Sequence, residues 1–151
     1  MIQMGGKAVH LPVSGSSSLA PEPAHDLGKS LERWADIVAA HGFSHDWTED
    51  LAAHSAVPVI NGGTDLTHPC QGLAVFFTLR EKLGDISGIT LAYVGRRSPV
   101  CHSLMLAAAR AGSRFQVGTP RGLEPDPLIV QRAEDLGRDS GYSLLATNDP
   151  E

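Results

Sequence analysis

The stretch Val57-Pro58-Val59-Ile60-Asn61-Gly62-Gly63-Thr64-Asp65-Leu66-Thr67-His68-Pro69-Cys70-Gln71 decides how the chain is read. Val57 to Ile60 is a short apolar run bounded by turn residues, which reads as a strand ended by Asn61-Gly62-Gly63. From His68 the pattern turns helical. Leu73, Phe76, Phe77, Leu79 and Leu83 predict a broad apolar stripe that runs up to Gly84.

The same alternation continues on both sides. Upstream, residues 7–11 form a short alternating run that could be a strand, and Ser14 to Pro23 reads as a surface loop. Asp26 can cap a helix over 27–35, with Leu27, Leu31, Trp34 and Ala35 at helical spacing. Residues 36–40 look like a strand, and residues 45–55 like a helix with Trp47, Leu51 and Ala52 on one face. Downstream, Asp85-Ile86-Ser87-Gly88 connects to a buried-type strand over 89–94. A helix over 100–111 follows, closed by Gly112. Residues 115–118 read as a strand, 120–127 as a loop, 128–139 as a helix and 143–147 as a last strand. Strands alternating with helices predict an α/β fold of parallel sheets with helices packed on them. The change of character at 84–88 places a domain boundary there, giving partial domains over 1–84 and 85–151 joined by a helix.

Composition narrows the function. The chain has 151 residues, 42% hydrophobic and 19% charged, which suits a soluble globular protein. A formal net charge of −5 with interspersed signs offers no basic stripe for nucleic acid or an anionic membrane. No apolar run approaches the roughly 20 residues that span a bilayer. The first residues lack the pattern of a secretory signal, so a cytoplasmic location is expected. The two cysteines, Cys70 and Cys101, are too few for a disulfide framework. Their neighbours His68 and His102 match no standard zinc spacing, and Cys101 suits a small buried position on a helix. Gly95-Arg96-Arg97-Ser98-Pro99 lacks the spaced glycines of a dinucleotide site. Neither a metal nor a cofactor is expected.

The opening stretch resembles the segment of the ornithine carbamoyltransferase family that carries its His-Pro-Cys-Gln motif. The resemblance continues through Thr78-Leu79-Arg80-Glu81-Lys82-Leu83-Gly84, Leu91-Ala92-Tyr93-Val94-Gly95, Val100-Cys101-His102-Ser103-Leu104 and residues 119–127. Upstream, residues 1–11 resemble the strand that follows the family's phosphate-binding helix, so the likeness covers essentially the whole chain. It implies transfer of a carbamoyl group from carbamoyl phosphate to the side-chain amine of ornithine, giving citrulline and phosphate, within arginine metabolism. It further implies a trimeric assembly, and it makes His68 and Gln71 the carbamoyl-binding pair. Both side chains carry N–H donors, one helical turn apart, and a helix start adds free backbone N–H groups. Read from the residues alone, His68 and Pro69 could equally just begin a helix.

Several positions depart from the family pattern. Its Ser-x-Arg-Thr-Arg phosphate motif has no counterpart in this sequence. His41 aligns with an arginine, Gly63 with a leucine beside the ornithine site, and Val75 with an aspartate. Pro99 aligns with a substrate-holding asparagine, and Ser18 with a glutamine in a loop that reaches a neighbouring active site. The family's later ornithine-binding motifs also have no counterpart. His41, Gly63 and Pro99 are therefore expected to mark a degenerate site with little turnover by this chain alone. The alternatives are a chain completed by a second polypeptide, a non-catalytic interaction or regulatory subunit of an intact relative, and a binding domain using Arg96 and Arg97 for an anion. The acceptor stays open, since putrescine- and acetylornithine-specific relatives share the carbamoyl half. Open sheet edges predict marginal stability or oligomerisation.

Overall fold

The computed structural model describes residues 2–12 and 22–149. Among the described residues there are two parallel sheets. After a single 3-10 turn at Ile2–Met4, the first unit runs α1 (Ala24–Leu31), β1 (Val38–Ala40), α2 (His45–Ala53) and β2 (Val59–Asn61). Val38, Ala39 and Ala40 pair with Val59, Ile60 and Asn61. Helix α3 (Pro69–Leu83) leads to the second unit: β3 (Thr90–Val94), α4 (Pro99–Ala111), β4 (Arg114–Gly118), α5 (Pro127–Gly137) and β5 (Ser143–Thr147). Its strands lie in the order β3-β4-β5, with Leu91, Phe115 and Leu144 in one row and Tyr93, Val117 and Ala146 in the next. The α/β class and the parallel sheets follow from the strand–helix alternation, because parallel neighbours need a crossover long enough to hold a helix.

Each sheet has its own core. Ala24, Leu27, Ala40 and Leu51 close the smaller one, where α1 and α2 pack together. The larger is built from Cys101, Leu104, Met105, Ala108 and Ala109 of α4, Phe115 and Val117 of β4, Ile129 and Ala133 of α5, and Phe76 of α3. The starts of α2, α4 and α5 carry side-chain caps that satisfy first-turn N–H groups. Ser44 accepts from Trp47 N–H, Ser98 from Cys101 N–H and Asp126 from Leu128 N–H. Gly112 closes α4 in the left-handed conformation, and a Cβ there would run into the Ser140 carbonyl oxygen.

Several expectations need correcting. Residues 7–11 form no strand, because neither described sheet offers them a neighbour to complete a ladder; Val9 is 91% exposed. The first helix begins after Pro23 rather than at an Asp26 cap and ends at Leu31, so Trp34 falls in the following turn and points to solvent. Residues 36–37 precede β1 instead of joining it. Helix α3 does not bury a broad stripe. Its Gly72 and Phe76 are buried, with Val75 packed beside them, whereas Leu73, Phe77 and Leu83 are exposed. Helix α4 touches one narrow face of it, and a Cβ at Gly72 would lie 3.0 Å from the Ser103 carbonyl oxygen. Strand β3 is not buried on both faces either: Leu91 and Tyr93 turn to the core, and Thr90, Ala92 and Val94 are exposed. The loop reading of 14–23 lies mostly outside the described residues, as does Ser18.

Candidate functional site

Parallel strands deliver their carboxyl ends to one edge, where loops can converge. His41 follows β1, and Gly62-Gly63 follows β2. The two segments are tied together: Gly62 N–H donates to the Ala40 carbonyl at 2.7 Å and Gly42 N–H to the Gly63 carbonyl at 2.8 Å. The next turn is held by its own side chains. Asn61 Oδ1 accepts from Gly63 N–H at 2.8 Å, Asn61 Nδ2 donates to Thr67 Oγ1 at 3.1 Å, and Thr64 and Thr67 are cross-linked by three further hydrogen bonds. That turn sets His68 at the N-cap of α3.

Helix α4 fixes the same point from the other unit. His68 N–H is shared between Ser103 Oγ at 2.8 Å and the Pro99 carbonyl at 3.2 Å. The neighbouring His102 is buried between two segments. Its Nε2 accepts from Asp126 N–H at 3.1 Å, so its Nδ1 carries the proton that is donated to the Leu66 carbonyl at 2.8 Å. Ahead of α4, Tyr93 Oη lies 3.0 Å from both the Arg96 carbonyl and Ser98 Oγ, and Arg97 N–H donates to the Leu123 carbonyl.

The site residues named from the sequence are thus partly gathered. The His41 and His68 rings lie edge to face, 6.1 Å between centroids, with Gly63 beneath them. A Cβ on Gly63 would stand 2.9 Å from His68 Cδ2 and 3.2 Å from His41 Cδ2, and the residue has φ +137°. Pro99 reaches the site through its carbonyl alone, as N1 of α4, where the missing N–H costs nothing. Gln71 sits one turn along α3, exposed, its N–H bonded to the His68 carbonyl. Among the described residues, His68 Nδ1 is buried without a hydrogen-bond partner. Such a group is costly to leave unmade and suits a ligand. Arg96 and Arg97 are exposed in the loop ahead of α4. Cys101 lies on the inner face of α4, where burial pushes its thiol up to about 11 and keeps it protonated. Cys70 is exposed, with Sγ 3.3 Å from the Asn61 carbonyl. Sequence reasoning assigns no role to Asn61, Thr67, His102 or Ser103. The last two act across 36 and 35 residues, a separation that leaves no periodic signal.

Replacing Gly63 by alanine is expected to cost about 1–3 kcal/mol, because an L side chain is strained at this φ and collides with both imidazoles. A denaturation midpoint unchanged from that of the parent chain would count against this packing.

A parallel α/β scaffold with a half-buried imidazole at a helix N-terminus beside its strand ends matches a transferase family. The carbamoyl-P binding domain of the aspartate/ornithine carbamoyltransferases matches residues 1–81, and their Asp/Orn binding domain matches residues 87–151. The chain belongs to the aspartate/ornithine carbamoyltransferase family. Within it, the similar proteins include ornithine carbamoyltransferases. That of Anoxybacillus flavithermus is 39% identical over 150 residues, 99% of this chain and 48% of the relative. That of Pyrococcus horikoshii is 40% identical over 99% of this chain and 47% of its own length. Among solved structures, the Pyrococcus furiosus enzyme aligns with TM-score 0.83 and 41% identity over 87% of this chain and 42% of that one. The mitochondrial enzyme of Coccidioides immitis aligns with TM-score 0.87 and 29% identity over 99% and 49%. The chain therefore spans about half the length of the relatives it matches.

Proposed function

We propose that this chain holds the carbamoyl end of carbamoyl phosphate in an ornithine carbamoyltransferase-type site, and that by itself it does not make citrulline. The observation that carries the reading is His68. Its ring stands at the start of α3 with a buried, unpartnered Nδ1, and Gln71 follows one turn on. Polarising the carbamoyl oxygen needs N–H donors held in place before the reaction, which this arrangement supplies. Residues 1–84 then form a partial carbamoyl-phosphate-binding domain and 85–151 a partial amino-acid-binding domain. The two separate sheets and two core clusters support that division. Low turnover is supported by what surrounds the pair. Pro99 lacks both a side-chain amide and an N–H, and Gly63 offers no side chain toward an acceptor. Each lost contact of about 1.4 kcal/mol is tenfold in rate, so a few suffice. The setting proposed is cytoplasmic, as expected from the sequence. No described helix is long and apolar enough to cross a membrane.

The purified chain, given carbamoyl phosphate and ornithine, should yield no citrulline above background. Titration with carbamoyl phosphate should still show weak saturable binding. His68→Ala should weaken it roughly tenfold to a hundredfold, the effect of losing a hydrogen bond of about 1.5–3 kcal/mol to a charged ligand. Citrulline formed at rates typical of intact enzymes would overturn the inactivity, and absence of donor binding would overturn the site.

A second reading, a non-catalytic subunit that joins an intact carbamoyltransferase, is favoured by one surface. The face of the β3-β4-β5 sheet opposite α4 and α5 carries exposed Ala92, Val94, Gln116 and Leu145, although parallel sheets are usually covered on both faces. Light scattering of the chain alone and mixed with a full-length relative tests it: a persistent monomer in both samples excludes it.

A further inference from the structure

We propose that His41 and His68 form a proton-coupled site for a small oxyanion, so that the ligand and a proton enter together. The inference rests on the reading of His68 as a donor-site residue and adds His41 and a mode of regulation to it. Where the family resemblance places a permanently charged arginine, this chain has an imidazole whose ring meets that of His68 at 6.1 Å. Gly63 is what allows the meeting, since a side chain there would occupy the space both rings share. His41 is exposed and open to solvent protons, whereas His68 Nδ1 is buried and unpartnered.

The coupling follows from charge. A neutral imidazole has one N–H and a protonated one has two, so only protonation lets both rings donate from either nitrogen. Two imidazolium rings this close repel, and the positive end of α3 adds to the penalty. An anion bound by both rings reverses the sign: it accepts a charge-assisted hydrogen bond from each, and each added positive charge then attracts. On α2, His45 Nε2 pairs with Glu49 at 3.3 Å, and the Asp65 carboxylate accepts from His45 N–H at 2.8 Å. Arg96 and Arg97 stand in the loop leading to Pro99, whose carbonyl accepts from His68 N–H, and keep their charge at every working pH.

Sulfate is the probe, because its own charge does not change between pH 6 and pH 8. Calorimetric titration of the full chain in two buffers of different ionisation enthalpy should show proton uptake on binding. Affinity should be roughly tenfold higher at pH 6 than at pH 8, the range in which imidazoles change charge. In His41→Arg, sulfate should bind with that pH dependence and proton uptake reduced, His68 alone remaining coupled. In the parent chain, imidazole nitrogen resonances of His41 and His68 should move toward the protonated form when sulfate is added at constant pH, a readout that needs no variant. Sulfate binding without pH dependence, an unchanged pH dependence in His41→Arg, or failure of sulfate to bind where carbamoyl phosphate still does would each overturn the proton-coupled pair and leave the donor-site reading intact. Failure of both anions to bind would overturn both.

Discussion

Replacing Phe115 by alanine is expected to destabilise the protein by about 3–5 kcal/mol, the largest effect of any single truncation in its core. Phe115 is fully buried on the central strand β4, in register with Leu91 and Leu144, and it lies in the same cluster as Met105, Ala108 and Ile129. Removing the ring loses its transfer free energy and leaves a cavity. The surroundings have little means of closing it, because the strand is pinned on both sides and the adjacent helix positions are already alanines. Net stabilities of single domains are about 5–15 kcal/mol, so the variant should sit near its unfolding threshold. The melting midpoint should fall by roughly 6–20 °C for a chain of this size, read by circular dichroism or calorimetry. Gln116→Ala, one residue away on the uncovered face, is the matched control and should change little. Equal losses in the two variants would mean that the core is not organised around β4 as described.

Replacing His102 by leucine is expected to cost nearly as much, by a different route. The ring is 4% exposed and both nitrogens are used, one donating to the Leu66 carbonyl and the other accepting from Asp126 N–H. Leucine fills similar space but strands a buried acceptor and a buried donor, each costing about 1–3 kcal/mol when left unpaired. The damage should also reach the site. Leu66 lies two residues before His68, and Asp126 caps α5, so the same ring holds the approach to α3 and the start of α5. Chemical denaturation should show the stability loss, and carbamoyl phosphate binding should weaken together with it. A stable variant with unchanged donor binding would show that the Ser103 contact to His68 alone holds the loop.

Much of the fold is legible in the amino-acid sequence. The strand–glycine–helix run through residues 57–84 specifies its element types correctly, because local periodicity and turn residues respond to the same steric rules in any context. The close of α4 at Gly112 is legible for the same reason. Where the pattern misleads, a missing neighbour is responsible. Residues 7–11 alternate as a strand should, yet no described strand pairs with them. Leu73, Phe77 and Leu83 have helical spacing, yet α4 covers only the Gly72–Phe76 side of α3. Apolar periodicity states that a face can be buried, not that a partner is present.

By itself the sequence determined the α/β class, the family and the order of elements from α1 to β5. All of these depend on local steric preference or on collinear motif. Only the tertiary structure decided that His41 turns its ring onto His68, that Gly63 must lack a side chain for this to happen, and that His102 and Ser103 tie the second unit to the loop before α3. Apart from Gly63 with His68, those contacts join residues between 22 and 36 positions apart, such as His41 with Gly63 and Leu66 with His102. At such separations the pairing is set by how the sheets and helices pack, which no local pattern encodes.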